Sequence, residues 1–286
     1  MRAWIMELLG PHLIPHEAAG GQGYYSVREE GLRQLALAQD RDLRQVMLAC
    51  LDEGLWPERL RPNRGTLTAQ DQARLLRSTV AVIGAGGLGG TVILQLARLG
   101  LGSLLVCDGD VFEESNLNRQ FLAEHDTLGQ NKAQVAARAV RAVNPAVEVR
   151  VHAVWAYEDN LPALLQDAQV VVDCLDSLSA RYTVEEAARQ AGLPFVHGSV
   201  AGLEGMVMTV RNGDPGLAGL YGPQPAAKAE SAESILGVPT PTPALIATLQ
   251  VAEVLKLLLG WPGLERGQVL HVDLGGVPGI EVLQLG

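Results

Sequence analysis

Cysteine is scarce in this sequence, and the scarcity excludes two kinds of structural cross-link. The three cysteines, Cys50, Cys107 and Cys174, are far apart, and none belongs to a C-x-x-C pair. Neither a disulfide framework nor a cysteine-based zinc site is expected, and a reducing, cytoplasmic location fits best. Aromatic residues are also few, at 4%, whereas Ala, Leu, Val and Gly are abundant. That composition suits helices packed closely on a parallel sheet.

Positive charge is in the minority, with 22 Lys and Arg against 32 Asp and Glu, for a formal net charge of −10. This charge repels nucleic-acid phosphates and acidic membrane surfaces, so we expect neither as a partner. The apolar stretch Trp4–Leu9 is too short for the core of a signal peptide, and we expect no membrane-spanning run. A chain of 286 residues, 48% of them hydrophobic, has room for one large α/β domain and a small appendage.

The organisation of the chain changes near residue 60. Residues 1–60 are interpreted as a small helical appendage, because Val27–Leu51 places apolar residues at helical spacing without strand-like alternation. Trp56-Pro57 and Arg61–Gly65 interrupt that pattern and are interpreted as a linker. Residues 61–286 are then expected to form the main domain.

From residue 79 onward, short apolar strands alternate with longer helical stretches. This alternation is typical of βαβ units and predicts an α/β fold with a doubly wound, mainly parallel, Rossmann-like sheet and antiparallel strands near the C-terminus. The predicted strands are Thr79–Ile83, Leu104–Cys107, Val147–Val151, Val170–Cys174, Pro194–His197, Gly205–Val210, Gln268–Asp273 and Ile280–Leu283. The predicted helices are Leu88–Leu99, Lys132–Val143, Glu158–Asp167, Ala180–Ala191 and Ala244–Leu259.

One long stretch of the main domain lacks clear periodicity. Asn212–Pro243 is rich in Gly, Pro, Ala and Ser and is interpreted as a long loop. Long irregular connections in compact domains are often functional, so this loop is expected either beside the site or as a plain surface excursion.

A glycine-rich segment follows the first predicted strand of the main domain and opens a helix. Gly84, Gly86 and Gly87 permit the tight turn, and the helix N-terminus presents backbone N–H groups to phosphate oxygens. Asp108 closes the next strand, where its carboxylate can accept hydrogen bonds from ribose hydroxyls. These features predict a bound nucleotide but leave two reactions open. One is a nicotinamide-dependent oxidation and the other is chemistry on a triphosphate.

Polar donors just beyond Asp108 favour the triphosphate. Amide and guanidinium groups between Ser115 and Gln120, followed by Lys132 near the next helix start, can stabilise the charge that builds on a transferring phosphate. Asp176, at the carboxyl edge of another buried strand, is placed to hold a magnesium ion that bridges phosphates. Asp176 could instead cap the helix that follows it.

These residues together resemble the ThiF/MoeB/HesA family, the bacterial relatives of ubiquitin-activating enzymes, from about Arg61 to Leu259. The shared patterns are G-x-G-G-L-G, D-x-D with S-N-L-x-R-Q, then Lys132 and Asp176. The resemblance implies ATP and Mg²⁺ as cofactors and adenylation of the C-terminal glycine of a small ubiquitin-like sulfur-carrier protein, with release of pyrophosphate. It implies catalytic roles for Arg119, Lys132, Asp176 and Arg64, with Asp176 on magnesium. It implies nucleotide contacts from Gly84, Gly86, Gly87, Asp108, Ser115, Asn116, Leu117, Asn118, Arg119, Lys132, Asp176 and Ser177.

The resemblance also implies a homodimer, because the second arginine of the family's R-Y-N-R segment reaches the partner subunit's ATP site. Arg64 matches that arginine, although Pro62 replaces the tyrosine. Ser177 stands where the family usually has asparagine. Zinc is not expected, because Asn212–Gln224 and Ala226–Gly237 lack the cysteine pairs of many relatives. The isolated Cys50, Cys107 and Cys174 are expected to be buried and unreactive, so that catalysis ends at the adenylate.

Three alternatives remain for the chain as a whole. They are a nicotinamide-dependent oxidoreductase, an inert scaffold that binds a ubiquitin-like protein, and an adenylating enzyme that acts on a peptide or another acceptor. The pathway that the carrier would serve stays open, as does the role of residues 1–60. His197, at a strand end, is expected to be a packed histidine rather than a catalytic base.

Overall fold

The computed structural model describes residues 8–18, 21, 23–224 and 235–285. Its strands are β1 Leu13–Glu17, β2 Gly23–Val27, β3 Trp56–Pro57, β4 Thr79–Ile83, β5 Ser103–Cys107, β6 Glu148–His152, β7 Val170–Asp173, β8 Phe195–Ala201, β9 Glu204–Val210, β10 Gln268–Asp273 and β11 Gly279–Gln284. Its helices are α1 Glu29–Gln39, α2 Leu43–Asp52, α3 Ala69–Arg77, α4 Gly87–Leu99, α5 Lys132–Val143, α6 Leu161–Leu164, α7 Leu178–Gln190, α8 Gly216–Tyr221 and α9 Pro241–Leu259.

Eight strands form the main sheet, in the order β11-β10-β9-β8-β7-β4-β5-β6. The five strands from β8 to β6 along this order are parallel to their neighbours, and the pairs β8–β9, β9–β10 and β10–β11 are antiparallel. The predicted doubly wound sheet with antiparallel strands near the C-terminus is confirmed. The chain runs outward from β4 through β5 to β6 and then crosses to β7 on the other side of β4. Ligands bind at such a switch point, outside the carboxyl ends of the strands.

The central strands are apolar on both faces, as expected where helices cover both sides of a parallel sheet. Along β4, Val80 and Val82 belong to one apolar layer, which includes residues of α4 and α9. Ala81 and Ile83 alternate with them and belong to a second layer, which includes residues of α6 and α7. Since successive side chains of a strand point to opposite faces, β4 anchors both layers and fixes the position of the loop that follows it.

The N-terminal segment is helical only in part, so the prediction of a helical appendage is wrong in this respect. Strands β1 and β2 pair antiparallel, and β2 pairs parallel with the two-residue strand β3. Trp56, which was assigned to a linker, is buried in β3. These strands are too short to show alternation, and β2 and β3 are separated in sequence by α1 and α2.

This segment also shares its core with the main domain. Leu9, Val27 and Trp56 belong to the same apolar cluster as Val80 of β4. Arg44 donates a hydrogen bond to the carbonyl of Gly102 at 3.1 Å, and Arg59 donates one to Val143 at 2.7 Å. The segment is therefore packed onto the main domain through both apolar contacts and hydrogen bonds to backbone carbonyls.

Two other predictions need correction. The helix expected over Glu158–Asp167 is only α6, because Asp167 adopts a left-handed backbone with φ of 68° as the chain turns into β7. The predicted loop Asn212–Pro243 contains α8 and the start of α9, and its residues 225–234 lie outside the described part of the chain.

Helix α9 is long and apolar enough to span a membrane by length and composition alone, contrary to expectation. It lies against the sheet and α4, and more than half of its most apolar window is buried, at 56%. Its buried face carries Gln250 and Glu253, which are hydrogen-bonded to the protein. These contacts are those of a core helix.

Candidate active site

A cleft of about 400 Å³ opens at the carboxyl ends of β4, β5 and β7. It brings together most of the residues predicted to bind a nucleotide. The predicted residues that line it are Gly84, Gly86, Gly87, Asp108, Arg119, Lys132, Asp176 and Ser177. Ser115, Asn116, Leu117, Asn118 and Arg64 do not line it.

The glycine-rich turn requires glycine because other backbone segments pass too close to it to leave room for a side chain. Gly84 has a φ of +95°, and a Cβ there would lie 2.6 Å from the carbonyl oxygen of Cys174, at the end of β7. A Cβ on Gly89 would lie 1.9 Å from the carbonyl oxygen of Gly84. Helix α4 begins at Gly87, directly after this turn. The N–H groups of its first turn therefore face the cleft and can bind phosphate oxygens.

Asp108 is held in place by backbone donors. The Ala85 N–H donates to Oδ2 at 2.7 Å, and the Asp110 N–H donates to Oδ1 at 2.8 Å. Burial raises the pKa of Asp108 above its ordinary value, although these hydrogen bonds and the charge of Lys132 act in the opposite direction. Each carboxylate oxygen has a second lone pair, so both can accept a ribose hydroxyl.

Lys132 begins α5 with a side chain that is only 8% exposed. Its Nζ lies 2.7 Å from Oδ2 of Asp110. Burial acts to raise the pKa of Asp110, but the hydrogen bond and charge of Lys132 lower it overall. The ammonium group has three donors and reaches the cleft already oriented by this pair, so it can also bind a phosphate oxygen.

The segment around Arg119 holds that side chain from outside the cleft. Arg119 Nη1 donates to the Ser115 carbonyl at 3.0 Å and to Oδ1 of Asn118 at 2.8 Å. Asn118 also donates to the Val238 carbonyl at 3.3 Å, and its own carbonyl accepts from the Thr240 hydroxyl. Ser115 and Asn118 thus orient the guanidinium and join it to the segment before α9.

The other two residues of this segment also lie outside the cleft lining. Asn116 is buried, and its Oδ1 accepts a hydrogen bond from the Glu113 N–H at 3.1 Å, which closes the short turn. Leu117 is half-buried in the same turn. Their predicted contacts with the nucleotide remain predictions.

Gln120 lines the cleft beside the glycine turn, a position that the sequence analysis did not single out. Its amide nitrogen lies 3.5 Å from where a Cβ on Gly86 would be, and the residue is 7% exposed. Within the described residues, its buried Oε1 has no hydrogen-bond partner. An unpaired buried amide group is costly, so this side chain is available to a ligand in the cleft.

Asp176 is exposed at the opposite wall and accepts no hydrogen bond from the described residues. The N-cap of α7 is Ser177, and within the described residues no side chain makes a capping hydrogen bond to this helix, so the helix-capping alternative for Asp176 is wrong. In the described part of the chain, no three His, Cys, Asp or Glu side chains form a metal-binding group. Magnesium commonly uses one or two carboxylates together with substrate phosphates, and Asp176 fits that role.

A polar cluster beneath Asp176 consists of the buried Asp173, Arg181 and His197 and the half-buried Tyr221. Asp173 Oδ1 accepts from the Leu175 N–H at 3.0 Å, and Arg181 Nε donates to the Leu175 carbonyl at 3.0 Å. Arg181 Nε also lies 3.7 Å from Asp173 Oδ2. Asp173 and Arg181 thus hold both polar groups of the residue before Asp176. No role for Asp173 or Arg181 was predicted from the sequence, because the contacts of both side chains depend on how β7 and α7 pack.

His197 is fully buried in this cluster. Its Nδ1 lies 2.7 Å from Oδ2 of Asp173, and its Nε2 lies 2.9 Å from the Tyr221 hydroxyl, which donates to Ser199 at 2.9 Å. Burial lowers the pKa of His197. The side chain does not line the cleft, which confirms a packed histidine.

The three cysteines are free and buried. Burial raises the pKa of Cys50 and of Cys107 to about 12 and raises that of Cys174 as well. A thiol with such a pKa remains protonated near neutral pH and is a poor nucleophile. The predicted burial of the three thiols is confirmed, and their lack of reactivity stays a prediction.

Arg64 lies at the N-terminal segment. Its guanidinium sits 3.8 Å from the centroid of the Tyr24 ring, a cation–π contact. It takes no part in the cleft of its own subunit, so its predicted role in a partner subunit stays a prediction.

Comparison with known proteins places this geometry in a family. The ThiF family profile matches residues 60–277. The chain is 37% identical over 207 residues to the SAMP-activating enzyme E1 of Haloferax volcanii, covering 71% of this chain and 76% of the relative. It is 37% identical over 215 residues to the sulfur carrier protein adenylyltransferase of Thermus thermophilus, covering 71% and 78%.

Solved structures agree on the fold. PaaA superimposes with a TM-score of 0.65 at 22% identity, covering 80% of this chain and 82% of PaaA. Escherichia coli MccB, solved with ATP, superimposes with a TM-score of 0.63 at 21% identity, covering 76% of this chain and 66% of MccB. At these identities the likeness establishes the fold alone.

Proposed function

The chain belongs to the ThiF family, and from that premise we propose that it uses ATP to adenylate the C-terminal glycine carboxylate of a small ubiquitin-like sulfur-carrier protein, releasing pyrophosphate. At 37% identity, one relative is named a sulfur carrier protein adenylyltransferase and another a SAMP-activating enzyme E1. The observation that carries the proposal is the arrangement of the cleft. Arg119, Lys132 and Asp176 line it together with the N-terminus of α4.

The nucleotide is oriented by groups that the fold already holds in place. Asp108 accepts the ribose hydroxyls, and the first turn of α4 binds phosphate oxygens. Arg119 and Lys132 stabilise the charge on the α-phosphate while the carrier carboxylate attacks it in line and pyrophosphate leaves. Both cations are oriented before the reaction by Asn118 and Asp110 respectively, which lowers the reorganisation that the transition state requires.

Asp176 is the residue that would hold magnesium. The ion would neutralise the departing pyrophosphate. Asp176 has no internal partner to give up among the described residues, and Asp173 and Arg181 keep its loop in one position.

The proposed reaction ends at the adenylate. A thioester or persulfide on this chain would need an ionised thiol, whereas burial raises the pKa values of Cys50, Cys107 and Cys174. Sulfur transfer to the carrier is therefore left to another protein, and zinc has no role in the proposal.

The proposed assembly is a cytoplasmic homodimer, without nucleic acid or membrane as a partner. Arg64 would complete the active site of the partner subunit. It is half-buried against Tyr24, and it follows the short helical segment Glu58–Asn63. The net charge of −10 is consistent with a soluble protein that avoids anionic surfaces.

Mass spectrometry of the carrier tests the proposed reaction. The protein is incubated with ATP, Mg²⁺ and small carriers ending in Gly-Gly, each beside a copy that lacks the terminal glycine. We expect the intact carrier alone to gain AMP and pyrophosphate to be released. ATP turnover with a peptide and with no carrier would instead support the alternative acceptor. ATP binding without turnover on any acceptor would support a scaffold.

A further inference from the structure

One wall of the cleft is apolar and has no role in binding phosphates or magnesium. It is formed by Val154, Trp155 and Ala156, which follow β6. Trp155 is 54% exposed and Val154 is 46% exposed. A large apolar side chain that stays exposed inside a cleft is more informative than one scattered on the surface.

The indole of Trp155 rests directly on the backbone beside the ribose-binding carboxylate. A Cβ on Gly109 would lie 2.8 Å from the backbone nitrogen of Trp155 and 2.9 Å from Cδ1 and Cδ2 of its indole ring. Side chains essentially never approach that closely, so a glycine after Asp108 is required for this placement. The glycine thus brings the ring to the residue that is expected to bind the ribose.

The backbone that carries Trp155 is held on both sides. The Cys107 thiol donates to the Val154 carbonyl at 3.2 Å, and Asn160 Nδ2 donates to the Trp155 carbonyl at 2.8 Å. Asn160 Oδ1 in turn accepts from the Tyr157 N–H at 2.8 Å. The wall is therefore built by β5 and by the turn before α6, although the ring itself remains open to the cleft.

The order of groups along the cleft shows what this wall can contact. The N-terminus of α4, beginning at Gly87, is the phosphate end, and Asp108 is the ribose position. In a nucleotide the base lies on the far side of the ribose from the phosphates. The neighbouring strands β4, β5 and β6 lie in that order in the sheet. They are followed by the glycine turn, by Asp108 and by the Trp155 wall respectively, so the wall lies on the side of Asp108 away from the phosphate end.

We propose that Trp155 stacks on the nucleobase and gives the site its preference for purines. This inference rests on the proposed binding of ATP and adds the residue that selects the base. An indole offers a large aromatic face, and stacking against it is stronger for the two-ring purines than for the one-ring pyrimidines. Because Trp155 contacts the base and not the reacting phosphate, its loss weakens nucleotide affinity more than turnover at saturation.

Calorimetric titration with ATP, GTP, CTP and UTP in the presence of Mg²⁺ tests this proposal. We expect Trp155→Ala to raise the Kd for ATP about tenfold and to narrow the ratio between CTP and ATP affinities. Trp155→Phe keeps a smaller aromatic ring, so its Kd for ATP is expected to lie between those of the wild type and Trp155→Ala. ATP is expected to quench the tryptophan fluorescence of the wild type. Most of this quenching should be absent in Trp155→Phe.

Tyr157→Ala provides the matched control, because Tyr157 is 59% exposed two residues further on and does not line the cleft. It should bind ATP as the wild type does. If Trp155→Ala unfolds in urea as the wild type does and also shows the same Kd values and the same base preference, the role of Trp155 is overturned. The proposed function would then remain intact. Absence of ATP binding by the wild type would overturn the proposed function together with this inference.

Discussion

Two carboxylates at the end of β7 lie three residues apart and occupy opposite environments. Asp173 is completely buried and is engaged by the Leu175 N–H, His197 and Arg181. Asp176 is exposed in the cleft and has no hydrogen-bond donor among the described residues. The comparison separates two uses of the same side chain. The satisfied carboxylate determines the shape of the loop, and the unsatisfied one remains available to a ligand.

The buried polar cluster should therefore dominate stability. Arg181→Met leaves the Asp173 charge buried without its cation and the Leu175 carbonyl without its donor, and we expect it to lower the free energy of unfolding by about 3–5 kcal/mol. Urea unfolding measures this change. Arg150→Met is the control, since Arg150 and Asp167 form an exposed pair that contributes less than about 1 kcal/mol. Equal effects of the two substitutions would contradict the role assigned to the cluster.

The cleft should dominate activity instead. Arg119→Ala removes a cation that acts on the transferring phosphate, and we expect kcat/KM to fall about 10²–10³-fold. Its free energy of unfolding should stay within about 0.5 kcal/mol of the wild type. Arg98→Ala, an exposed arginine on α4 outside the cleft, should change neither quantity. A loss of activity that matches a loss of stability would show that Arg119 acts through the fold.

Asp176 is expected to affect magnesium use without affecting stability. Asp176→Asn should lower kcat/KM about 10–100-fold, with part of the loss recovered at higher Mg²⁺ because phosphate ligands remain. Its urea midpoint should equal that of the wild type. A magnesium titration at constant ATP measures this effect, and an unchanged magnesium dependence would exclude Asp176 as a ligand.

The smallest effect expected is the pH dependence of the buried cluster. The fold holds the pKa of His197 below its ordinary value of 6.5, so the unfolded chain binds its proton more readily. Stability contributed by neutral His197 is then present above that value and declines as pH falls through it. The urea midpoint of unfolding is measured at about pH 7.5 and at about pH 5.5 for each protein. The decrease between the two pH values should be larger in the wild type than in His197→Gln. Parallel declines would show that other groups account for the pH dependence.

The parts of the fold that follow from local patterns could be predicted from the sequence. Strand β4 and helix α5 have the predicted boundaries, because a continuous apolar run and helical spacing are local signals. The nucleotide cleft followed from the glycine turn and Asp108, whose roles depend on adjacent residues. The small N-terminal sheet could not be predicted, since β3 has two residues and its partner β2 precedes two helices.

The supporting residues of the site were harder to predict than its lining residues. The expected contacts of Ser115 and Asn118 with phosphates stay a prediction, and the structure adds that both residues hold Arg119. Arg181 reaches back to Leu175 from the first turn of α7, a contact that depends on how the helix packs. Spacing along the chain indicates which residues come near the ligand, whereas three-dimensional packing decides which of them touch it.

The most direct test of the central claim is ATP–pyrophosphate exchange in the presence of Mg²⁺ and a carrier that ends in Gly-Gly. We expect exchange that requires the terminal glycine of the carrier and is lost in Arg119→Ala. Exchange that is unaffected by removal of the terminal glycine, or its absence with every carrier despite ATP binding, would contradict adenylation of a sulfur carrier by this cleft.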